Sequence, residues 1–263
     1  MTKRILSITA QKPNSTGSGV YLTELVKAYA ALGYEQAVIA GIEQGEEVEL
    51  GQEISFYPVH FKSDEVPFPV VGMSDVMPYD NTRYCDMTDA MTAVFMEAFK
   101  KRIVKAIKEF CPDVILCHHL YLVTALTKSL AGEIPVYGIC HSTCLRQFQK
   151  NALQKEFIAE NIRNLDGIFA LHKGQKEEIV SLFQVPNEKV YIVGAGYNDS
   201  IFYMEETGKE PGIHLCFAGK ISQAKGVKSL LKSLSMVHTA QNVTLELAGG
   251  SADAKEVKEL QNL

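Results

Sequence analysis

CPDVILCHHLYLVTALTKSLAGEIPVYGICHS, residues 111–142, begins and ends on apolar, β-branched runs and is helix-compatible between them. DVILC (113–117) and PVYGIC (135–140) have the length and composition of strands buried on both faces. The residues from about Tyr121 predict a helix joining them. A strand, a helix and a second strand in this order form a parallel crossover, the unit of α/β folds.

Working outward, the same alternation repeats. Upstream lie a strand at 5–9 (ILSIT), a helix from Val20 to Leu32, strands at 37–40 and 54–59, and a long helix over 87–110. Ala90, Val94, Ala98, Ile103 and Ile107 give that helix its apolar stripe. The 54–59 strand contains Pro58, which places it near a sheet edge. Downstream come a helix over 145–165 and strands at 167–171 and 189–193. Residues 62–86 carry three prolines and little periodicity, so they read as a long irregular segment of functional importance or a mobile surface loop. Polar residues 204–212 read as a linker, after which IHLCFAG, a helix from about Lys225 to His238, and VTLELAG restart the pattern. The expected organisation is a domain over 1–203, a linker over 204–212 and a partial second domain over 213–263.

With 46% hydrophobic and 22% charged residues, the chain has the composition of a globular protein rather than a disordered one. Its net charge of −5 argues against a nucleic-acid binder that relies on phosphate neutralisation. No signal peptide or membrane-spanning run is legible, and six cysteines in this setting read as reduced thiols. A cytoplasmic location is expected, with peripheral membrane association left open.

Three segments carry candidate chemistry. Gly17, Ser18 and Gly19 lie after the first strand and before a helix, where glycines admit close approach and the helix start favours an anion. A plain turn explains them equally well, and the spacing lacks the nicotinamide fingerprint. Lys220 and Lys225, five apart beside Gly226, suit a diphosphate or a solvated helix start. Cys117-His118-His119 and Cys140-His141-Ser142-Thr143-Cys144 both follow buried strands. Their spacing does not match paired zinc ligands, so His119 and His141 read as cleft-lining residues and the cysteines as small core residues.

In this order the segments resemble the family 4 glycosyltransferases of the GT-B fold. STGSGVYL resembles the family's loop facing the donor diphosphate. IPVYGICHS places His141 where the family has a histidine close to the donor sugar. KVYIVGAGYNDSIF has Asn198 where the family typically has Asp, and FAGKISQAKGVKSLL has Lys220 where the phosphate-binding motif has Arg, keeping the charge but losing the bidentate fork.

The resemblance implies a Rossmann-like parallel-sheet domain on the acceptor side and the beginning of a second, nucleotide-sugar-binding one. It implies retaining, metal-independent transfer from a nucleotide-sugar donor to a sugar, lipid-linked or small-molecule acceptor, with no cofactor. His141 would be catalytic, with Gly17, Ser18, Gly19, Lys220 and Lys225 on the donor diphosphate and His119 and Asn198 on substrate. No D-x-D occurs for a metal-bridged diphosphate. Family members continue further and carry a pair of glutamates separated by seven residues. The expectation is therefore an incomplete form with little activity of its own, whose exposed sheet edge offers a second copy a place to pair. A sugar-nucleotide epimerase and a non-catalytic sugar- or acceptor-binding protein are the rival readings.

Overall fold

The computed structural model describes residues 3–51, 53–74, 77–204, 211–219, 221, 223–239, 241–250, 258 and 260. The chain divides into two compact units, Met1–Asn198 and Asp199–Leu263.

The first unit is built on seven strands: β1 (Arg4–Ile8), β2 (Glu35–Glu43), β3 (Ser55–Phe61), β6 (Val114–His118), β7 (Val136–Ile139), β8 (Gly167–Ala170) and β9 (Val190–Ile192). Two-residue strands β4 (Val71–Gly72) and β5 (Thr82–Arg83) pair separately. Every neighbouring pair in the large sheet is parallel, in the order β3-β2-β1-β6-β7-β8-β9. β3, with Pro58, is an edge strand as expected. Helices α1 (Gly17–Ala31), α2 (Asp89–Phe110), α3 (Leu122–Leu130), α4 (Thr143–Lys150), α5 (Lys155–Arg163) and α6 (Lys173–Phe183) cross between the strands.

The alternation of β2 divides the core. Ala37 and Ile39 join the larger cluster with Leu6, Ile8 and residues of α2 and α3, whereas Val38 and Ala40 pack with Leu22 and Val26 of α1. Gly41 is a glycine because β2 passes too close to its neighbours for a side chain. A Cβ there would stand 2.5 Å from the Ala10 carbonyl oxygen and 2.8 Å from Phe61 Cε2.

One expectation is corrected, and one open alternative is narrowed. The helix over 145–165 is two helices, α4 and α5. Asn151 leaves the helical region at φ −106°, ψ 142°, and Gln154 takes a left-handed conformation at φ 46°. Asn151 Nδ2 donates to Gln147 Oε1 at 2.5 Å, a local side-chain bond of the kind that competes with helix continuation. The 62–86 segment, among its described residues, is not a loose surface loop. Val66, Val70, Val71, Met73 and Tyr84 are buried in the larger core. Arg102 holds Glu65 with Nη2–Oε2 at 2.6 Å and donates through Nε to the Pro58 carbonyl.

The second unit has β10 (Ile213–Ala218) and β11 (Val243–Ala248) paired in parallel, with α7 (Val227–Ser235) between them in sequence. No helix among the described residues is long and apolar enough to cross a membrane.

Candidate active site

The chain runs outward through β1, β2 and β3, then returns to the other side of β1 to lay down β6 to β9. The order reverses between β1 and β6, and in open parallel sheets ligands bind outside the carboxyl ends of the strands at that point. The connections that leave β1, β6 and β7 there, with the first turn of α1, carry Gly17, Ser18, Gly19, His119 and His141.

After β1 the loop folds back over the first turn of α1. Thr16 caps the helix, its Oγ1 accepting from the Gly19 N–H at 3.1 Å, and Ser18 Oγ donates to Gln11 Oε1 at 3.0 Å. Gly19 lies so close beneath the loop that a Cβ would approach the Lys12 carbonyl oxygen to 2.5 Å. The space around Gly17 is open, and no acidic residue occupies the first turn to offset the helix dipole. Lys12 anchors the loop: its Nζ lies 2.6 Å from Glu46 Oε1 and 3.3 Å from Glu43 Oε1, and it sits over the Tyr79 ring at 4.8 Å. Through Tyr79 the irregular segment is pinned to the β1 loop.

His118, the last residue of β6, and His141, which follows β7, stack at 5.4 Å with rings 14° from parallel. His118 Nδ1 and His141 Nε2 are hydrogen-bonded at 3.2 Å. His119 meets His141 at 4.7 Å. Tyr21 of α1 packs edge-on against both stacked rings, at 6.0 Å from His118 and 5.4 Å from His141. Two non-glycine residues here have positive φ, His119 at 72° and Ser142 at 63°. Such backbone persists where its surroundings over-determine it. The His119 carbonyl accepts from the Tyr121 N–H and from Thr124 Oγ1, and Gln175 Nε2 donates to Ser142 Oγ at 2.7 Å.

Burial, reinforced by His119, pushes the His118 pKa down to about 3. Burial, with His119 and then His118, pushes that of His141 down to about 2. Burial raises the Tyr21 hydroxyl, with a smaller contribution from Tyr29. At neutral pH His118, His141 and Tyr21 are therefore uncharged. A general acid works best with a pKa near the operating pH, so this environment suits His141 to donate a hydrogen bond rather than transfer a proton.

The same neutrality predicts a pH dependence of stability. Unfolded histidine titrates near 6.5, well above the folded values. Between these limits the unfolded chain binds protons that the folded chain refuses. The stabilisation is complete above about pH 6.5 and is lost as pH falls toward 3, by up to ~1.4 kcal/mol per pH unit per histidine. Urea unfolding should therefore show a lower free energy at about pH 5 than at about pH 7. A flat profile over that interval would contradict the buried neutral pair.

The structure thus brings His119 and His141 together and joins them to the glycine-rich helix start through Tyr21, one helical turn beyond Gly17. Asn198 reaches the same helix, its Nδ2 donating to Glu24 Oε2 at 2.7 Å. His118, Tyr21 and Glu24 were not singled out by motif. Tyr21 and Glu24 lie four and seven residues after Gly17, which puts them on one helical face with it, and that spacing is the signal that finds them. Lys225 belongs to the second unit, exposed at the end of a 3-10 turn, Gln223–Lys225, immediately before Gly226 caps α7. Lys220 lies outside the described residues. Among the described residues no group of three or more His, Cys, Asp or Glu is arranged to hold a metal ion.

The fold matches that of GT-B glycosyltransferases. Sucrose-phosphate synthase from Thermosynechococcus elongatus is similar over 99% of this chain and 66% of its own, at 14% identity and a TM-score of 0.63. HepE from Anabaena, in complex with UDP, is similar over 99% of this chain and 65% of its own, at 12% identity and a TM-score of 0.63. A UDP-GlcNAc 2-epimerase from Neisseria meningitidis bound to UDP-GlcNAc is similar over 100% of this chain and 68% of its own, at 10% identity and a TM-score of 0.54. The chain thus spans about two thirds of the length of these structures, and identities this low establish the fold alone. No curated protein sequence matches the chain. The family model of Glycosyltransferase Family 4 matches residues 15–200, and the chain belongs to that family.

Proposed function

We propose that the protein works in the transfer of a hexose from a nucleoside-diphosphate donor to an acceptor hydroxyl, with retention of configuration, without a metal and in the cytoplasm. The observation that carries this reading is the uncharged His118–His141 pair beside Tyr21, at the reversal point of a family 4 sheet. Transfer of this kind passes through an oxocarbenium-like sugar while a diphosphate leaves. A neutral imidazole hydrogen-bonds a sugar oxygen without repelling the developing positive charge, as an imidazolium would. In this reading His141 meets the donor sugar, and Gly17, Ser18 and Gly19 present the open helix start to an anion. His119 and Asn198 contribute to substrate contacts, and the pinned 62–86 segment borders the acceptor.

For the second unit, taken by itself, we propose that Lys220 and Lys225 neutralise phosphate oxygens. Changing Lys225 to Ala should weaken binding of UDP by ~1–3 kcal/mol, the scale of a hydrogen bond to a charged group. Calorimetric titration of parent and variant with UDP measures it, and equal affinities would remove Lys225 from the phosphate site.

The function itself is tested by supplying UDP-glucose with a panel of sugar acceptors. Release of UDP matched by a new glycoside supports transfer; UDP-glucose left intact with every acceptor, by a protein that binds it, argues for a binding role instead.

A further inference from the structure

Two neutral imidazoles joined by one nitrogen–nitrogen contact share a single proton along it, so one ring must donate and the other accept. The His118 Nδ1–His141 Nε2 bond, 3.2 Å long, therefore admits two arrangements. In the first, His141 donates from Nε2. His118 then carries its own proton on Nε2, an atom that is buried without a hydrogen-bond partner. In the second, His118 donates from Nδ1. Its Nε2 is then a bare acceptor, and His141 carries its proton on Nδ1. An orphaned buried N–H is the rarer and costlier of the two situations, which selects the second.

We infer that His118 is a positioning residue that donates from Nδ1 to His141 Nε2 and so fixes His141 in the Nδ1–H form, with that N–H directed to an oxygen of the bound donor. The inference rests on the reading that His141 meets the donor. Three contacts limit the alternatives open to the pair. The His118 Nδ1–His141 Nε2 contact sets which nitrogens face each other, and the rings lie 14° from parallel. Tyr21 closes on both rings from α1, and His119 closes on His141. His118 is 3% exposed, which leaves water little access to compete for its Nδ1 proton.

The consequence is a division of labour between adjacent strand ends. β6 supplies a buried histidine that sets a proton's location, and β7 supplies the half-buried histidine that uses it. A hydrophobic residue at 118 would preserve packing and leave His141 free to exchange tautomers. The amide of Asn places an N–H near the position of histidine Nδ1 and would keep the donor.

Long-range proton–nitrogen NMR of the protein labelled with ¹⁵N-histidine reads both tautomers directly at neutral pH. The expected result is Nδ1–H on both His118 and His141. In His118→Leu, His141 should become a tautomer mixture, and kcat with UDP-glucose should fall by about tenfold or more with little change in KM, as when a histidine loses the partner that fixes its tautomer. In His118→Asn both the tautomer and kcat should be retained. Finding Nε2–H on His141 in the parent, or Nδ1–H undisturbed in a folded His118→Leu, overturns the inference. Should His118→Leu not fold, the parent spectrum and His118→Asn still decide. Full turnover by His141→Ala would instead defeat the underlying site reading while leaving the tautomer assignment in place.

Discussion

Changing His141 to Ala is expected to lower the rate of sugar transfer by about 10²–10³-fold, the loss seen when one preorganised donor is removed from a site of developing charge. The effect should fall on kcat more than on KM, because a contact that strengthens as the sugar–phosphate bond breaks contributes mainly in the transition state. The fold should survive, since His141 is only partly buried and lies after β7 rather than in the core. Initial rates over a range of UDP-glucose concentrations, beside a circular dichroism spectrum of the variant, measure both. A variant that turns over within about threefold of the parent would show that the histidine cluster is structural.

The largest effect on stability is expected at Phe61. Its side chain is fully buried at the end of edge strand β3, in ring contact with Phe68, Phe95 and Phe99 at 6.0, 6.1 and 6.4 Å. It also fills the space that Gly41 leaves on β2. Phe61→Ala removes the link between the edge of the sheet, α2 and the irregular segment. It should destabilise the protein by ~3–5 kcal/mol, the range for a large aromatic cut from a close-packed core. Urea unfolding followed by far-ultraviolet circular dichroism tests this. A loss below about 1 kcal/mol would mean that this corner of the core relaxes into the cavity.

The elements legible in the sequence were those whose signal is local. The buried strands β1, β6, β7 and β8 stand out as short apolar runs, and Pro58 marks the edge strand because proline cannot donate to a ladder. The α4–α5 break was hidden because Asn151 and Gln154 are tolerated within helices. It takes the Asn151–Gln147 contact and the left-handed Gln154 to end one helix and start another. The fate of 62–86 was equally hidden. Its order comes from partners far away in the chain, such as Arg102 for Glu65, Gln147 for the Met73 carbonyl and Lys12 for Tyr79.

The site divides along the same line. His119 and His141 were readable from their places after buried strands. His118 carries no such local mark, because its value lies in a bond to a residue 23 positions on, which no spacing rule announces. The Asn198–Glu24 bond spans 174 positions. It also bears on why asparagine stands at 198: an amide can donate to the Glu24 carboxylate, whereas a carboxylate there would face another.

The function proposed for the protein is transfer of a sugar with retention at the carboxyl edge of its parallel sheet. The most direct measurement is time-resolved proton NMR of the first product formed from UDP-glucose, an α-linked donor, with an accepted sugar. The account predicts an α-linked glycoside appearing in step with free UDP. A β-linked first product, or a sugar nucleotide altered at C2 with no release of UDP, would contradict it.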